Sequence, residues 1–249
     1  MIRLKNDREV DGIRESGRLL ARTLQELRPL VVEGVSTREL DSFARSYIES
    51  HGGKPSFLGY MDYPASLCVS VNDEVIHGIP GGRRLKGGDV VSLDLGVNLN
   101  GYFSDAAVTV PVGETSRKRR WLLDVTEECL RLAVQQAVPG NRVSDVSRAV
   151  FDHAVRNRCG VVREYCGHGV GFSQHEDPQV PNYVGAGPNP RLKPGMVLAI
   201  EPMINAGTGD IRLLEDGWTV VTADGADSAH FEHTVVVLAD RMEILTRFD

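Results

Sequence analysis

Apolar side chains recur every three or four residues in four stretches of the chain, which is the spacing of one helix face. The first stretch covers residues 10–27, and the second begins with the sequence STRE at Ser36, a capping box. Two further helices are predicted over residues 115–137 and 143–159. Four helices are therefore expected, two in each half of the chain.

Strands are predicted between and after these helix pairs. Residues 67–110 are rich in β-branched and apolar positions and are interrupted by turn signals at Asn72-Asp73 and Asn100-Gly101. The second turn joins two long runs, so it predicts a β-hairpin. Residues 161–249 are expected to contain only strands and loops.

One strand pattern occurs twice. The segment RLKGGDVVSLDLG (84–96) returns as RLKPGMVLAIEPM (191–203), which aligns Asp94 with Glu201. The segment VEGVSTREL (32–40) resembles VPGNRVSDV (138–146) at nearly the same offset. The repeat predicts an α+β fold in which two pseudo-twofold halves pack their helices on one face of a curved antiparallel sheet.

No linker or shift in composition divides the chain. We therefore expect a single domain over residues 1–249, with halves of roughly 1–112 and 113–249. A single α/β or barrel-like domain can reach this length.

Composition narrows the possible functions. Acidic residues outnumber basic ones, 34 against 28, and the net charge is −6. This balance argues against nucleic-acid binding, which needs a concentrated basic face. The only dense basic run, residues 117–120, is interpreted as a solvated helix entry.

The cysteines and the N-terminal sequence bear on location. Four cysteines have no CxxC pairing, which is typical of free thiols in a reducing compartment. The N-terminal segment lacks an apolar signal region, and no run approaches membrane-spanning length. We expect a cytoplasmic protein without membrane contact.

The candidate chemistry lies in acids that enter or interrupt apolar strands. They are joined by one histidine that stands between two glycines, and the set is Asp94, Asp105, His168, Glu201 and Glu232. Unpaired buried carboxylates repel one another, so this set predicts bound cations. Two divalent ions would offset four negative charges, and oxygen ligands with one nitrogen suit Mn, Fe, Co or Zn.

Each of these residues has an ordinary structural interpretation when it is taken alone. Strand acids most often face solvent, and a lone histidine is usually a hydrogen-bonded core residue. Because the repeat aligns Asp94 with Glu201, the five residues together indicate a metal site more specifically than any one of them does alone.

Six segments resemble the signature segments of the type I methionine aminopeptidases, which have the pita-bread fold. They are VNDEVIHGIP, SLDLG, FSDAAVT, YCGHGVG, IEPM and FEHTVVV, and the resemblance runs from about residue 2 to the end. It implies two divalent metal ions, with Asp105 and Glu232 bridging both. Asp94 would chelate one ion, and His168 with Glu201 would hold the other.

The resemblance also implies the reaction. A metal-bridging hydroxide would remove the initiator methionine from nascent chains whose second residue is small, with Glu201 as proton shuttle. His175 would stabilise the tetrahedral intermediate, and His77 would contact the substrate near the scissile amide. Transient ribosome association and a monomeric state are further expectations of this kind.

By the same resemblance, the methionine side chain would contact Tyr60, Tyr63, Cys68 and Trp218. The tyrosines could instead be plain core or loop aromatics, and Cys68 a small buried hydrophobe. The chain departs from the family at Gln174, where an aromatic residue commonly precedes the catalytic histidine. We expect Gln174 to reshape a pocket wall without touching the metal ligands.

Three alternatives remain open. An X-Pro aminopeptidase or prolidase has a similar metal set, although such enzymes usually carry an additional N-terminal domain. A metal-free pita-bread binding module should have lost ligands, and all five are present. The same intact set disfavours creatinase-like hydrolysis without metal.

Overall fold

The computed structural model describes residues 1–247, and four α-helices lie in that part of the chain. Their bounds are α1 Asp7–Leu27, α2 Thr37–Ser50, α3 Arg117–Gln135 and α4 Val143–Arg156. All four predicted helices are confirmed. Helix α3 begins later than predicted because the side chain of Ser116 caps it. Helix α4 ends earlier, and Arg158 beyond it has a φ of 58°.

Helix α1 begins before its first buried apolar residue. Asn6 accepts a hydrogen bond from the Glu9 backbone N–H, and the Glu9 carboxylate accepts one from the Asn6 N–H. This is a second capping box, which apolar spacing alone does not reveal. The capping box predicted at Ser36 is confirmed, with Glu39 as its partner.

Fifteen strands lie within residues 1–247, and all except a two-residue strand at Lys54–Pro55 lie in or at the edge of the predicted regions 67–110 and 161–249. In the first half they are β1 Lys54–Pro55, β2 Leu67–Val71, β3 Glu74–Ile76, β4 Val90–Leu99 and β5 Tyr102–Pro111. In the second half they are β6 Gly160–Val161, β7 Gly167–Gly169, β8 Glu176–Val180, β9 Val197–Ile200, β10 Met203–Asn205, β11 Ile211–Leu213, β12 Val220–Thr222, β13 Ser228–His230, β14 His233–Val237 and β15 Met242–Ile244.

The strands pair in antiparallel ladders throughout the described chain. In the first half β4 is central, with β2 and β1 along one edge and β5 along the other. In the second half β9 is central, in the order β15-β14-β9-β7-β8. Two three-stranded sheets, β13-β10-β6 and β11-β12-β3, complete the arrangement. The predicted α+β class is confirmed.

The internal repeat is visible in matching backbone contacts. The isolated bridge between Ser36 and Arg84 has its counterpart between Arg142 and Arg191, at the positions that the two sequence repeats align. Arg84 and Arg191 also donate from Nη1 to a carbonyl oxygen of the loop before the helix, at 2.6 and 3.1 Å respectively. The two halves are therefore built on one pattern.

The halves share one core and meet at two buried hydroxyls. A single apolar cluster includes side chains from all four helices and from both central strands. Thr234 Oγ1 donates to the Asp105 carbonyl oxygen at 2.7 Å and accepts from its N–H at 2.9 Å. Thr109 Oγ1 contacts the His230 backbone in the same way, at 2.7 and 2.9 Å. These hydroxyls join β5 to β13 and β14.

The basic run at the start of α3 is only partly a solvated helix entry. Arg119 forms a bidentate ion pair with Asp227, with nitrogen–oxygen distances of 2.8 and 3.1 Å, and donates to the Gly88 carbonyl oxygen. Its three neighbours in the run are exposed. Arg119 thus ties α3 to the strands. Among residues 1–247, no helix has the length and apolar character needed to span a bilayer.

Candidate metal centre and substrate pocket

The β4–β5 hairpin brings Asp94 and Asp105 to one face of the first sheet. Asp94 lies opposite Ala107, and Asp105 is two residues from Ala107, so both side chains point to the same side. Residues in this diagonal relation are close neighbours across a strand pair. The Asn100-Gly101 turn that was predicted to join these strands sets this register.

The second sheet presents the other three candidate ligands on one face. His168 on β7 lies opposite Ala199 on β9, and Ala199 lies opposite Thr234 on β14. Glu201 and Glu232 are each two residues from those strand positions, so they share the face of His168. Glu201 follows the end of β9, and Glu232 precedes β14.

The two faces meet at a compact group of ligand atoms. Asp105, His168 and Glu232 can each place one ligand atom within 4.8 Å of the other two. His168 Nε2 lies 3.6 Å from Asp105 Oδ2 and 3.5 Å from Glu201 Oε1. Asp94 lines the same cavity as these four residues. All five predicted ligands are therefore brought together.

Burial and mutual repulsion disfavour negative charge at this site. Burial raises the pKa of Asp94 to about 7. Burial, and then the neighbouring carboxylates, raise the pKa values of Asp105, Glu201 and Glu232 well above their usual range. Burial lowers the pKa of His168 to about 3, so its imidazole is neutral and able to bind a metal.

Three buried carboxylate oxygens at this site have no hydrogen-bond partner in the described chain. They are Asp94 Oδ1, Asp105 Oδ1 and Glu232 Oε1. Buried carboxylate oxygens without donors are expensive unless cations bind them. Four carboxylates and one imidazole are a suitable ligand set for divalent ions such as Mn, Fe, Co or Zn.

The glycines beside His168 serve backbone packing. A Cβ on Gly167 would lie 2.4 Å from the Ala199 carbonyl oxygen, and one on Gly169 would lie 2.2 Å from the Asp177 carbonyl oxygen. Both glycines therefore allow a close approach to the neighbouring main chain. His168 Nδ1 lies 2.9 Å from the Gly169 carbonyl oxygen, which leaves Nε2 directed at the carboxylates.

A cavity of about 620 Å³ opens beside the carboxylates. It is lined by all four residues predicted to contact a methionine side chain, Tyr60, Tyr63, Cys68 and Trp218. Tyr63 and Cys68 are buried, and the Tyr63 and Trp218 rings meet edge to face at 5.0 Å. Cys68 lies directly opposite Asp94 on the neighbouring strand, which places this apolar end of the cavity beside the candidate metal centre.

His77 and His175 line the same cavity from different sides. The His77 backbone has a φ of 58°, a strained conformation for this residue type, and its ring packs on Tyr165 at 5.4 Å. His175 Nδ1 lies 2.8 Å from the Tyr60 hydroxyl, and its ring centroid is 4.2 Å from that of His168. Burial lowers the pKa of both histidines, that of His77 to about 4.

The expectation that Gln174 avoids the metal ligands was wrong. Its side chain is buried, and Nε2 donates a hydrogen bond to Asp105 Oδ2. The turn between β7 and β8 directs Gln174 inwards and leaves His175 in the cavity wall. Sequence alone could not show this contact, because Asp105 and Gln174 are 69 residues apart.

Other residues of the site escaped the sequence analysis. His230 is fully buried, its Nε2 is 4.0 Å from Glu201 Oε2, and neither ring nitrogen has a hydrogen-bond partner within residues 1–247. Its position two residues before Glu232 was the available signal. The remaining cavity lining is Phe57, Met61, Tyr165, Leu213 and Gly217.

Comparison with known proteins shows the family to which the chain belongs. The profile of Metallopeptidase family M24 matches residues 11–239. The chain belongs to this family of metallopeptidases, and membership implies the use of divalent metal.

The relatives of this chain within the family carry more specific names than the family itself. A protein of Treponema pallidum named methionine aminopeptidase is 55% identical over 247 residues, covering 99% of this chain and 96% of the relative. Methionine aminopeptidase 1 of Bacillus subtilis is 51% identical, covering 99% and 100%. The crystal structure of methionine aminopeptidase from Rickettsia prowazekii superimposes with a TM-score of 0.97 at 38% identity, covering 99% and 100%. The resemblance and the pita-bread fold predicted from the sequence are confirmed.

Prolidases share the fold alone. The structure of prolidase from Pyrococcus furiosus has a TM-score of 0.80 at 23% identity, and it covers 99% of this chain but 66% of that one. The aligned part of the longer chain therefore has the same architecture. The likeness carries no information on substrate.

Proposed function

We propose that this chain is a methionine aminopeptidase that removes the N-terminal initiator methionine from nascent proteins whose second residue is small. One observation carries the proposal: the carboxylates whose buried oxygens lack partners line one cavity together with Tyr63, Cys68 and Trp218, which pack against one another. The names of the full-length relatives support the same activity.

Two divalent ions, Co, Mn, Fe or Zn, would occupy the centre. Asp105 and Glu232 would bridge both ions, Asp94 would bind one, and His168 with Glu201 would bind the other. When bound, such ions would polarise a peptide carbonyl and lower the pKa of water. The ions would also relieve the repulsion that raises the carboxylate pKa values.

Protein side chains would handle the proton and the developing charge. Glu201 has one oxygen 3.5 Å from His168 Nε2 and the other 4.0 Å from His230 Nε2, so it can hold a proton at the edge of the metal centre. His175, held by Tyr60, would donate a hydrogen bond to the oxygen of the tetrahedral intermediate. His77 would contact the substrate near the scissile amide.

The apolar end of the cavity suits an unbranched thioether. Tyr63 is fixed because its hydroxyl donates to the Gly78 carbonyl oxygen at 3.0 Å, so its ring faces the cavity with Cys68 and Trp218. Sulfur makes favourable contacts with aromatic rings, and methionine adapts to irregular pockets. Exposed Met61 and Leu213 lie at the rim, where the following residues of a substrate would pass.

The remaining proposals concern the working state of the protein. We propose one catalytic unit over residues 1–249, with halves of roughly 1–112 and 113–249, because the apolar cluster includes side chains from both halves. We also propose a cytoplasmic monomer that meets nascent chains beginning with methionine and associates transiently with the ribosome. Four free cysteines are consistent with a reducing compartment.

The direct test is a peptide panel with metal-free protein. Met-Ala-Ser, Met-Pro and Ala-Pro peptides are incubated with added Mn, Co, Fe or Zn, and the released amino acid is identified. Methionine release that needs metal, with little cleavage of Ala-Pro, is the expected result. Preference for Ala-Pro would assign the chain to the X-Pro enzymes. No cleavage with any ion would leave the binding-module alternative.

A further inference from the structure

Gln174 is a buried amide in direct contact with the metal centre. Its side chain is 1% exposed, and it immediately precedes His175. A buried carboxamide must have partners for its oxygen and its nitrogen. Ser56 Oγ donates to Gln174 Oε1 at 2.5 Å, and Gln174 Nε2 donates to Asp105 Oδ2.

The chemistry of the partners fixes the direction of this amide. With a cation bound, the Asp105 carboxylate is ionised and only accepts hydrogen bonds, so it is the NH₂ group of Gln174 that faces Asp105. The Ser56 hydroxyl is then free to donate to the amide oxygen. Asp105 Oδ1 has no partner within residues 1–247, so the hydrogen bond leaves that oxygen available for a cation.

A glycine on the β4–β5 hairpin leaves room for the hydrogen bonds that link Ser56, Gln174 and Asp105. Gly96 lies opposite Asp105 in the β4–β5 register. A Cβ at Gly96 would lie 2.0 Å from Ser56 Oγ and 2.9 Å from Gln174 Oε1. The Ser56 N–H also donates to the Gly96 carbonyl oxygen at 3.0 Å, which holds the hydroxyl in place.

We propose that Gln174 is a positioning residue for the metal ligand Asp105, and that Ser56 locks the Gln174 amide in the orientation this requires. The inference rests on the proposed metal-dependent function and adds a support for Asp105 to it. Hydrogen-bond partners of metal ligands orient those ligands and strengthen metal binding. Gln174 thus acts on the metal centre, whereas a pocket-wall residue would act on the bound side chain.

The test compares metal affinity with substrate affinity. Gln174→Met and Gln174→Leu both place an apolar side chain of similar bulk at this position and remove the donor to Asp105. Mn²⁺ binding to metal-free protein is measured by titration calorimetry, and kcat and KM are measured with Met-Ala-Ser at saturating Mn²⁺. We expect both variants to bind Mn²⁺ about tenfold or more weakly. Their KM should stay within about twofold of wild type, because uniform substrate binding is retained.

Ser56 supplies a second arm of the test. Ser56→Ala should weaken Mn²⁺ binding by less than Gln174→Met, and it should add nothing in the Gln174→Met background, because both act through one amide. Ser92→Ala is the matched control, since Ser92 is a buried hydroxyl bonded to Thr109 at 2.8 Å on the same hairpin. This control should leave Mn²⁺ affinity unchanged.

A spectroscopic reading separates positioning from loss of structure. The visible absorption of the Co²⁺-loaded protein should change in Gln174→Met, because it reports ligand geometry, and it should be unchanged in Ser92→Ala. Folded Gln174 variants with wild-type Mn²⁺ affinity and a raised KM would overturn the inference and make Gln174 a pocket wall. Wild-type protein that binds Mn²⁺ but releases no methionine would overturn only the proposed function. The Mn²⁺ affinities of the variants could still be compared with that of wild type, and this comparison tests the role of Gln174.

Discussion

At the scale of single residues, His175 combines two contacts that suit a group acting on the substrate. Its Nδ1 is held by the Tyr60 hydroxyl at 2.8 Å, so the other ring nitrogen is free to act on the substrate. Its ring lies over that of His168 but makes no ion pair with a carboxylate in the described chain. Burial lowers its pKa, which favours the neutral ring at neutral pH.

His175→Ala should therefore lower kcat far more than it disturbs metal loading. Loss of one hydrogen-bond donor to a developing oxyanion typically costs about 10²–10³-fold in kcat. Steady-state kinetics with Met-Ala-Ser and metal analysis of the same preparation give both quantities. His51→Ala, an exposed histidine at the end of α2, is the control and should retain wild-type kcat. Equal loss of activity and metal would instead make His175 a metal-binding or structural residue.

The five candidate ligands could be picked out from the sequence because each carries a local sign, an acid or a histidine set in apolar or glycine-rich surroundings. The contacts of Gln174 and His230 could not. Both depend on how strands from distant parts of the chain come together, and neither residue type indicates a metal centre alone. The structure thus adds the shell of residues around the ligands.

At the scale of elements, β7 is a three-residue strand whose glycines allow close packing. Gly167 approaches the backbone of β9, and Gly169 approaches the backbone of the strand on the other side, β8. His168 is thereby held between two neighbouring strands with its Nε2 directed at the carboxylates. Local sequence indicated the glycines, but only the sheet order shows which backbone they approach.

Gly167→Ala should destabilise the protein because the added Cβ would lie 2.4 Å from the Ala199 carbonyl oxygen. A clash with main chain in a well-packed region typically costs about 1–3 kcal/mol. The apparent Tm of the metal-free protein should fall by several degrees, about 2–4 °C for each kcal/mol. Gly82→Ala is the control, since a Cβ there would meet nothing within 4 Å, and its Tm should stay near that of wild type. An unchanged Tm for Gly167→Ala would contradict the close strand packing.

At the scale of the whole molecule, the repeat explains why the acids converge. Asp94 and Glu201 come from the repeated strand segments, and Asp105 and Glu232 come from segments that pair with or lead into the neighbouring strands. Each half therefore supplies two carboxylates at the junction of the halves. The sequence predicted this architecture because two separate segments recur at nearly the same offset, whereas the division into four sheets depends on short strands with weak local patterns.

Metal binding should couple to pH with a definite sign. The carboxylates must be ionised to hold cations, and burial raises the pKa of Asp94 to about 7, so protons compete with metal at and below neutral pH. The raised pKa values also mean that the metal-free protein loses stability as pH rises from about 4 towards those values. Because of both effects, the stabilisation of the folded protein by bound metal should increase as the pH rises.

The difference between the Tm with Mn²⁺ and the Tm with a chelator should therefore grow from about pH 6 to about pH 8. Thermal unfolding followed by circular dichroism at each pH measures this difference. Asp105→Asn removes one charge from the centre with little change of shape, and it should show a smaller difference at every pH. A difference that is independent of pH would contradict metal binding by these carboxylates.

The most direct test of the account is a joint titration of metal-free protein, in which bound Mn²⁺ and methionine release from Met-Ala-Ser are measured on the same samples. We predict no release without metal, a rise that follows occupancy, and saturation by about two ions per chain, the number that a two-metal hydrolase would bind. Asp105→Asn should fail to reach either the occupancy or the rate. Methionine release that persists in metal-free protein, or a fully loaded protein that releases no methionine, would contradict the account.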